Sequence, residues 1–263
     1  MHFRPSRRNP TNHNFTYGEN VLERVSEYKY LGIYLDEFLN YKKCSHILAD
    51  SAGRALGGII AKFMSLKDCG YKTYTTLFET GVLSVLNYGA EIWGYGYYPK
   101  CDNIINRAMR FFLGVHRFAP TAGVQGDMGW MSLKYRRYMV MLKFWNKLII
   151  MDDSRLTKRI FLWFYEYPQN NWCSDIKKIA TELDMLYVYN GKMLFDKNEI
   201  YERCQNLMSR EWRDNVLDKP KLRIYRAIKF KFGVEQYVLK YVPKYIRSIF
   251  AQVRIGILPL QML

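Results

Sequence analysis

Apolar residues recur every three or four positions from residue 41 onward, which is the period of an amphipathic helix. The first of these stripes consists of Leu48, Ala52, Leu56, Ile59 and Phe63. Equivalent stripes predict further helices over 71–86, 100–115, 133–151, 155–165, 174–185, 198–216, 221–232 and 236–249. Between two of them, residues 119–132 are rich in Gly, Pro and Thr, and a loop is predicted there.

Residues 1–38 have a different pattern, in which β-branched and aromatic residues surround short turns. Residues 15–17 and 21–25 flank a Gly-Glu-Asn turn, which is typical of a β-hairpin, and residues 28–35 predict one further strand. Three short strands cannot bury both faces of a sheet, so we expect them to pack on the helices or on a domain outside this chain. The predicted fold is mainly α, with a short N-terminal β-hairpin or three-strand piece before a multi-helix bundle.

The charge balance narrows the expected partners. The chain has 40 Lys and Arg against 24 Asp and Glu, a formal net charge of +16 over 263 residues. A charge excess of this size predicts attraction to polyanions such as nucleic acid. The aromatic content is also high, with 22 Tyr, 15 Phe and 6 Trp. A second interpretation is that the excess charge only keeps an aromatic-rich surface soluble.

Several classes of protein are not indicated by the sequence. The five cysteines and four histidines are widely spaced, with no Cys-x-x-Cys pair and no zinc-ligand spacing. Ordinary reduced thiols predict an intracellular protein, in the nucleus or the cytoplasm. The N-terminus lacks the apolar core of a signal peptide. The most apolar window, 77–93, contains Glu79 and Glu91, so a buried helix is predicted there and not a membrane segment.

The predicted helices carry cations at spacings that suit contact with a phosphate backbone. The candidate nucleic-acid-binding residues are Arg54, Lys62, Arg107, Arg110, Lys134, Arg136, Arg137 and Lys143. The alternative is that these side chains form solvated helix faces, as most charged residues on helices do.

A denser basic block lies between residues 219 and 254, where ten Lys or Arg residues accompany one acid, Glu235. Four tyrosines are interleaved with these cations. They are Tyr225, Tyr237, Tyr241 and Tyr245. The combination suits single-strand binding by stacking plus charge. The same tyrosines fall at helical spacing and are equally compatible with a core.

Six stretches occur in a characteristic order along the chain. They are YKYLGI at 28–33, SVLNYGAEIWG at 84–94, LGV at 113–115, the loop from Pro120 through Gly126-x-x-Gly129 to Trp130, LKFW at 142–145 and RIGILPL at 254–260. In this order they resemble the non-LTR (LINE-type) retrotransposon reverse transcriptases, beginning late in the polymerase domain. The resemblance is continuous to about residue 165 and returns in the last stretch.

The resemblance implies a C-terminal fragment of such a reverse transcriptase. Its three parts would be a remnant of the palm end over 1–38, a thumb-like helical region over 39–132, and a helical linker over 133–263 that becomes basic toward its C-terminus. Tyr30, Leu31 and Gly32 would belong to the strand next to the primer-gripping hairpin. In that family the thumb holds the template–primer duplex through phosphate contacts.

The same resemblance places the catalytic aspartates upstream of residue 1. We therefore expect no catalytic residue, no metal site and no cofactor in this chain, since Mg²⁺ would belong to the missing palm. The pair Asp152-Asp153 is similar to a two-metal site, but it follows an amphipathic helix, and we interpret it as a cap of the next helix.

The expected function is sequence-independent binding of an RNA–DNA hybrid or of single-stranded nucleic acid. One alternative is a helical interaction module that packs on the missing palm or on another protein. Another alternative is a non-functional product of a decayed element. Salt separates the first two, because phosphate contacts weaken steeply with salt and an apolar interface does not.

Overall fold

A computed structural model describes residues 1–3, 8–9, 11–66 and 68–258. Within these residues the chain is mainly helical, with two small antiparallel sheets near the N-terminus, which confirms the predicted fold class. The strands are β1 (Thr16–Tyr17), β2 (Asn20–Val21), β3 (Glu27–Tyr30) and β4 (Ile33–Asp36). The helices of the first half are α1 (Lys42–Ser65), α2 (Tyr71–Phe78), α3 (Ser84–Leu86), α4 (Ala90–Trp93), α5 (Pro99–Leu113) and α6 (Thr121–Met128). Those of the second half are α7 (Leu133–Ile149), α8 (Leu156–Glu166), α9 (Trp172–Glu182), α10 (Leu186–Asn190), α11 (Lys197–Leu217), α12 (Arg223–Ile228), α13 (Gln236–Leu239) and α14 (Lys244–Ile255).

Two further helical turns complete this list. A π-helical turn, Glu79–Leu83, joins α2 to α3, so that the predicted helix over 71–86 is continuous with one wide turn inside it. A 3₁₀ turn, Pro220–Leu222, leads directly into α12.

The N-terminal strands form two separate hairpins, and the second corrects a prediction. The segment 28–35, predicted as one strand, reverses its direction, so that Tyr30 pairs with Ile33. The reversal occurs at Leu31 and Gly32, whose φ angles are +46° and +86°. The prediction was wrong because an apolar strand pattern continues unchanged through a tight turn when the turn residues are themselves apolar or glycine. No strand residue of either hairpin is buried.

The helices pack around two hydrophobic cores. The first core combines α1, α2, α5 and α6 with the C-terminal helices α12 and α14, and Leu56, Tyr74 and Phe112 are among its fully buried members. The second core combines α7 to α11 around Trp145. The indole of Trp145 lies edge-on to Phe161, with 5.2 Å between ring centres. Helix α11 contributes to both cores, so it links them along one side of the molecule.

The segment predicted as a loop over 119–132 contains helix α6, and this prediction was also wrong. Its glycines are spaced three residues apart, so they share one face of the helix, and the C-terminal region packs closely on that face. A Cβ atom at Gly126 would lie 2.4 Å from the Tyr225 hydroxyl. A Cβ atom at Gly129 would lie 2.4 Å from the backbone nitrogen of Val234. Glycine is therefore needed here for the close approach of another segment.

Two smaller differences concern helix ends. The helix predicted over 236–249 is divided into α13 and α14, because Pro243 cannot continue a helix and instead precedes the first turn of α14. The acidic pair does not cap α8, whose N-cap is Arg155. Asp152 instead accepts a hydrogen bond of 2.9 Å from the backbone N–H of Ser154, closing a local turn.

None of the helices within the described ranges has the length and apolar character that crossing a bilayer requires.

Candidate nucleic-acid interface

The predicted binding residues lie in two kinds of environment, and Arg137 is the clearest internal case. Arg137 on α7 is only 3% exposed. Its guanidinium carbon lies 4.6 Å from the ring centre of Trp93. The same group donates hydrogen bonds of 3.3 Å to the Leu86 carbonyl and to the side-chain oxygen of Asn87. Arg137 therefore joins α7 to the α3–α4 region and does not present its charge to solvent.

Three further candidates are also held by internal contacts. Arg110 donates a 3.0 Å hydrogen bond to a carbonyl before α6, and burial lowers the pKa of its guanidinium. Lys134 forms a 2.8 Å ion pair with Glu211. Arg136 forms a 3.2 Å ion pair with Glu79. A phosphate would have to compete with these partners, so we do not retain the three residues in the candidate interface.

The remaining candidates are exposed. They are Arg54, Lys62, Arg107 and Lys143. Arg54 donates one hydrogen bond of 2.9 Å to the hydroxyl of Ser51. In the described part of the chain, the side chains of Lys62, Arg107 and Lys143 have no hydrogen-bond or ion-pair partner. Lys143 is on the exposed side of α7, a helix of the second core. The other three residues are on α1 and α5, which pack on each other.

The C-terminal basic block also contains structural cations. Arg247 is 1% exposed, and its two amino groups lie 2.8 and 3.2 Å from the carboxylate oxygens of Asp68. Its Nε atom donates a 2.9 Å hydrogen bond to the Phe112 carbonyl. Lys229 is buried as well and forms an ion pair with Glu235. Arg247 therefore fastens the C-terminal segment to the first core, whereas Lys229 closes a contact within that segment.

A buried carboxylate binds two of the four tyrosines of the C-terminal basic block. Asp127 on α6 is fully buried and accepts hydrogen bonds from Tyr225 at 2.9 Å and Tyr237 at 2.7 Å. Arg254 donates to the same carboxylate, with its Nε atom 3.1 Å away. Burial, together with the charge of Asp127, raises the pKa of both tyrosines, which keeps their hydroxyl groups protonated as donors. Tyr225 and Tyr237 are therefore core residues.

The other two tyrosines are exposed, Tyr241 by 71% and Tyr245 by 69%. Lys244 lies between them at the start of α14 and packs on the first core. Its ammonium is 4.2 Å from the ring centre of Phe111 and 3.7 Å from the sulfur of Met64. Because Lys244 contacts residues near the C-terminal ends of α1 and α5, the segment that carries the two tyrosines lies at these ends.

Exposed cations without side-chain partners in the described residues lie near these contacts along the chain. Lys62 is two residues before Met64 on α1, and Arg107 is one helical turn before Phe111 on α5. Lys240 is exposed beside Tyr241. We call this region the basic–aromatic surface, and it comprises Lys62, Arg107, Lys240, Tyr241, Lys244 and Tyr245.

The electrostatic state of Lys244 favours an anion at this surface. Partial burial lowers the pKa of its ammonium, the nearby charge of Arg247 lowers it further, and the charge of Asp68 only partly opposes these two effects. An ammonium that is poorly neutralised gains more from an added negative charge than one that already has a carboxylate partner. A phosphate group placed over the basic–aromatic surface would therefore be stabilised by Lys244.

The residues predicted to lie next to a primer grip occupy the turn of the second hairpin. They are Tyr30, Leu31 and Gly32. The Leu31 carbonyl accepts a 2.7 Å hydrogen bond from the hydroxyl of Tyr88. A Cβ atom at Gly32 would lie 3.2 Å from the Tyr88 ring. The stretches 28–33 and 84–94, distant in sequence, are therefore in direct contact.

Comparisons with known proteins add no relative. No family model, curated protein or solved structure matches this chain. The chemistry of the candidate interface is accordingly argued from its own geometry. In the ranges that the structure describes, no group of three or more His, Cys, Asp or Glu side chains is arranged to hold a metal ion.

The sequence pattern does not reveal a second feature, an open cleft of about 700 Å³ between the two cores. Asp102 and Asn106 line this cleft from α5, one helical turn apart. Their only signal in the sequence is a pair of polar residues at helical spacing beside an apolar stripe. Every amphipathic helix has such pairs, so the cleft becomes visible only when the fold places α5 opposite α7 and α11.

Proposed function

We propose that this protein binds nucleic acid without sequence specificity through the basic–aromatic surface, and that it prefers single strands over RNA–DNA hybrids. The observation that carries the proposal is that two exposed tyrosines flank Lys244, whose ammonium contacts the ends of α1 and α5, and these helices carry the exposed cations Lys62 and Arg107. Phosphate contacts carry no sequence information, and an aromatic ring stacks on any base. Single strands are favoured because a base must be unpaired to stack on Tyr241 or Tyr245.

The proposal agrees with the resemblance to LINE-type reverse transcriptases. In that family the thumb contacts template and primer, and residues 39–132, which carry Lys62 and Arg107, would correspond to the thumb. Two of the stretches that carry the resemblance, 28–33 and 84–94, are in contact through the Tyr88 hydroxyl and the Leu31 carbonyl. We therefore propose that the chain is related to the end of the polymerase domain, the thumb and the following linker.

Removal of charge from the basic–aromatic surface tests the proposal. The variant Lys62→Gln/Arg107→Gln/Lys240→Gln changes three exposed cations without side-chain partners in the described residues. We expect it to lower the affinity for a labelled mixed-sequence RNA strand by about tenfold or more, because each lost phosphate contact also loses counterion release. Fluorescence anisotropy at fixed salt gives the dissociation constants for single strand and hybrid.

A matched control changes the same amount of charge elsewhere. Lys177, Lys197 and Arg210 are exposed on α9 and α11, away from the basic–aromatic surface. Their replacement by Gln is expected to lower the affinity less than about threefold, since only the long-range attraction of the net charge changes. Equal losses in both triple variants, or a folded wild-type chain that binds no RNA, would contradict the proposal.

One observation favours a second candidate function, docking of another protein. Helix α14 exposes four apolar side chains on its outer side. They are Tyr245, Ile249, Phe250 and Val253, with exposures between 48% and 69%. Contiguous exposed apolar residues of this kind are typical of interaction surfaces. Association that is insensitive to salt would favour this function over nucleic-acid binding.

A further inference from the structure

The cleft between the two cores has aromatic walls. Helices α5, α6, α7 and α11 and the segment 94–98 surround its volume of about 700 Å³. Tyr95, Trp130 and Trp212 line the interior. Tyr97 stands at the mouth with 81% of its surface exposed, so the cleft is open to solvent. The space is large enough for a nucleoside with its sugar.

Three polar side chains face this cleft without partners. Asp102 and Asn106 come from α5, and Ser132 precedes α7. Within residues 1–3, 8–9, 11–66 and 68–258, none of the three side chains makes a hydrogen bond or an ion pair. Each of these side chains is partly buried, and its polar atoms remain accessible from the open cleft. The three groups are therefore available to a ligand.

The charges around the cleft do not suit a phosphate. Asp102 and Glu211 balance Lys134 and Arg137, in a protein whose net charge is +16. Lys134 is already paired with Glu211, and Arg137 is engaged by backbone and side-chain oxygens of the α3–α4 region. The carboxylate of Asp102 is influenced by the charge of Arg137 but accepts no side-chain hydrogen bond within the described residues, so it can accept N–H or O–H donors from a ligand. A flat, uncharged ligand with donors on its edge fits these requirements.

We propose that this cleft binds an unpaired guanine base, which rests on the proposed nucleic-acid binding for the nature of the ligand. The Watson–Crick edge of guanine has two adjacent N–H donors, and these match the two oxygens of the Asp102 carboxylate. The neighbouring O6 acceptor suits the amide of Asn106. Adenine has one amino group beside a ring acceptor, so it cannot satisfy a carboxylate with two donors. The partly exposed ring of Tyr95 and the exposed ring of Tyr97 supply the stacking surface, over a floor that contains the buried rings of Trp130 and Trp212.

The cleft and the basic–aromatic surface lie on adjoining sides of α5. Asn106 lines the cleft, and Arg107, the next residue, is exposed on the outer face of the helix. A strand whose phosphate contacts Arg107 therefore passes beside the mouth of the cleft. One of its bases can turn inward while the backbone stays outside. The protein would then prefer one base at a single position of the bound strand, while its other contacts with the strand remain independent of sequence.

Calorimetric titration of the full chain with guanosine and with adenosine tests the proposal. Neither nucleoside carries a phosphate, so the result does not depend on the basic–aromatic surface. We expect guanosine to bind about tenfold more tightly than adenosine, the discrimination typical of a good bidentate contact. The variant Asp102→Asn should bring the ratio of the two affinities close to one. It should also fold normally, because the replaced carboxylate has no partner within the described residues.

Two controls accompany this titration, one for the loss of charge and one for the measured affinity. Glu202→Gln removes one negative charge from an exposed position on α11 and should leave the guanosine preference unchanged. Quenching of tryptophan fluorescence by guanosine, from Trp130 and Trp212, should report the same affinity as calorimetry. Equal affinity for both nucleosides, or a guanosine preference that survives Asp102→Asn, would overturn the proposal. If RNA strands bind while guanosine does not, the cleft proposal is refuted and the proposal for the basic–aromatic surface stands. If guanosine binds while RNA strands do not, only the proposal for the basic–aromatic surface is refuted.

Discussion

Arg107 and Arg110 lie one helical turn apart on α5, but they have different environments. Arg107 is exposed and has no side-chain partner within the described residues, whereas Arg110 donates hydrogen bonds to the segment before α6. The same contrast separates Lys62 from Arg247, which is 1% exposed and paired with Asp68. In each of these two comparisons both residues are cations on helices, and only the packing of other side chains around them differs.

This contrast divides the positive charge of the molecule into two populations. The internal cations connect packed elements, as Arg137 joins α7 to the α3–α4 region and Arg247 holds the C-terminal segment against the first core, and their removal is expected to change stability. The external cations Lys62, Arg107 and Lys240 have no side-chain partner among the described residues, and their removal is expected to change binding. A net charge of +16 therefore overstates the charge that is available to a polyanion.

The largest effect is expected when one partner of a buried ion pair is removed. Arg247→Ala leaves the Asp68 carboxylate, which is 8% exposed, without its cation and also removes the hydrogen bond to the Phe112 carbonyl. We expect a loss of about 3–5 kcal/mol in the free energy of unfolding. Urea denaturation followed by circular dichroism measures it. A loss below about 1 kcal/mol would show that Arg247 belongs with the external cations.

The close packing of α6 should be the next most sensitive feature. Gly126→Ala places a methyl group 2.4 Å from the Tyr225 hydroxyl and 2.7 Å from the Trp212 indole nitrogen, so we expect a loss of about 1–3 kcal/mol. Gly58→Ala is the matched control, because nothing lies within 4 Å of its Cβ position on α1. That substitution should gain about 0.5–1 kcal/mol. Thermal unfolding of both variants gives the comparison, and equal shifts would refute the packing of the C-terminal region on α6.

The exposed tyrosines should affect binding and leave stability unchanged. Tyr241→Ala/Tyr245→Ala is expected to weaken single-strand binding by about 1–3 kcal/mol for each stacked base. Hybrid binding should change little, because paired bases are not available for stacking. The free energy of unfolding should remain within about 0.5 kcal/mol of wild type, as for other surface changes. Competition between labelled hybrid and single strand measures the change in preference, and an equal loss for both would argue against stacking.

The smallest effect concerns the unpaired carboxylate in the cleft. Burial raises the pKa of Asp102, and the charge of Arg137 only partly opposes this. The folded state therefore disfavours the ionised form, so the penalty is complete above the raised pKa and disappears below the ordinary aspartate range. Asp102→Asn should raise the melting temperature at pH 7 and have little effect near pH 3. A shift of the same size at both pH values would contradict this assignment.

Local patterns predicted the long helices well. The apolar stripes of α5, α7 and α11 gave ends within about two residues, because the period of a packed helix is recorded in neighbouring residues. Helix α6 was not predicted because its buried face consists of glycines, and glycine-rich segments usually indicate loops. The turn at Leu31-Gly32 was missed because its residues continue the composition of the strands.

The candidate site was predictable only in part. Arg107 and Lys62 were among the predicted residues and are exposed, but Arg137 has the same local sequence signal and is buried. Its partners are residues 86 and 87, which lie about fifty positions away in the chain. The roles of Tyr225 and Tyr241 were open for the same reason, since a buried carboxylate on α6 recruits only the first. Long-range pairing decides exposure, and it has no local signature.

The salt dependence of RNA binding tests the central claim most directly. The slope of log Kd against log salt reports the number of phosphates contacted, at about 0.7 per contact for single strands. We predict that Lys62→Gln/Arg107→Gln/Lys240→Gln reduces this slope by about 2, while the control triple variant at Lys177, Lys197 and Arg210 keeps the wild-type slope. An unchanged slope in the first variant, or an equal reduction in both, would contradict the assignment of the binding site to the basic–aromatic surface.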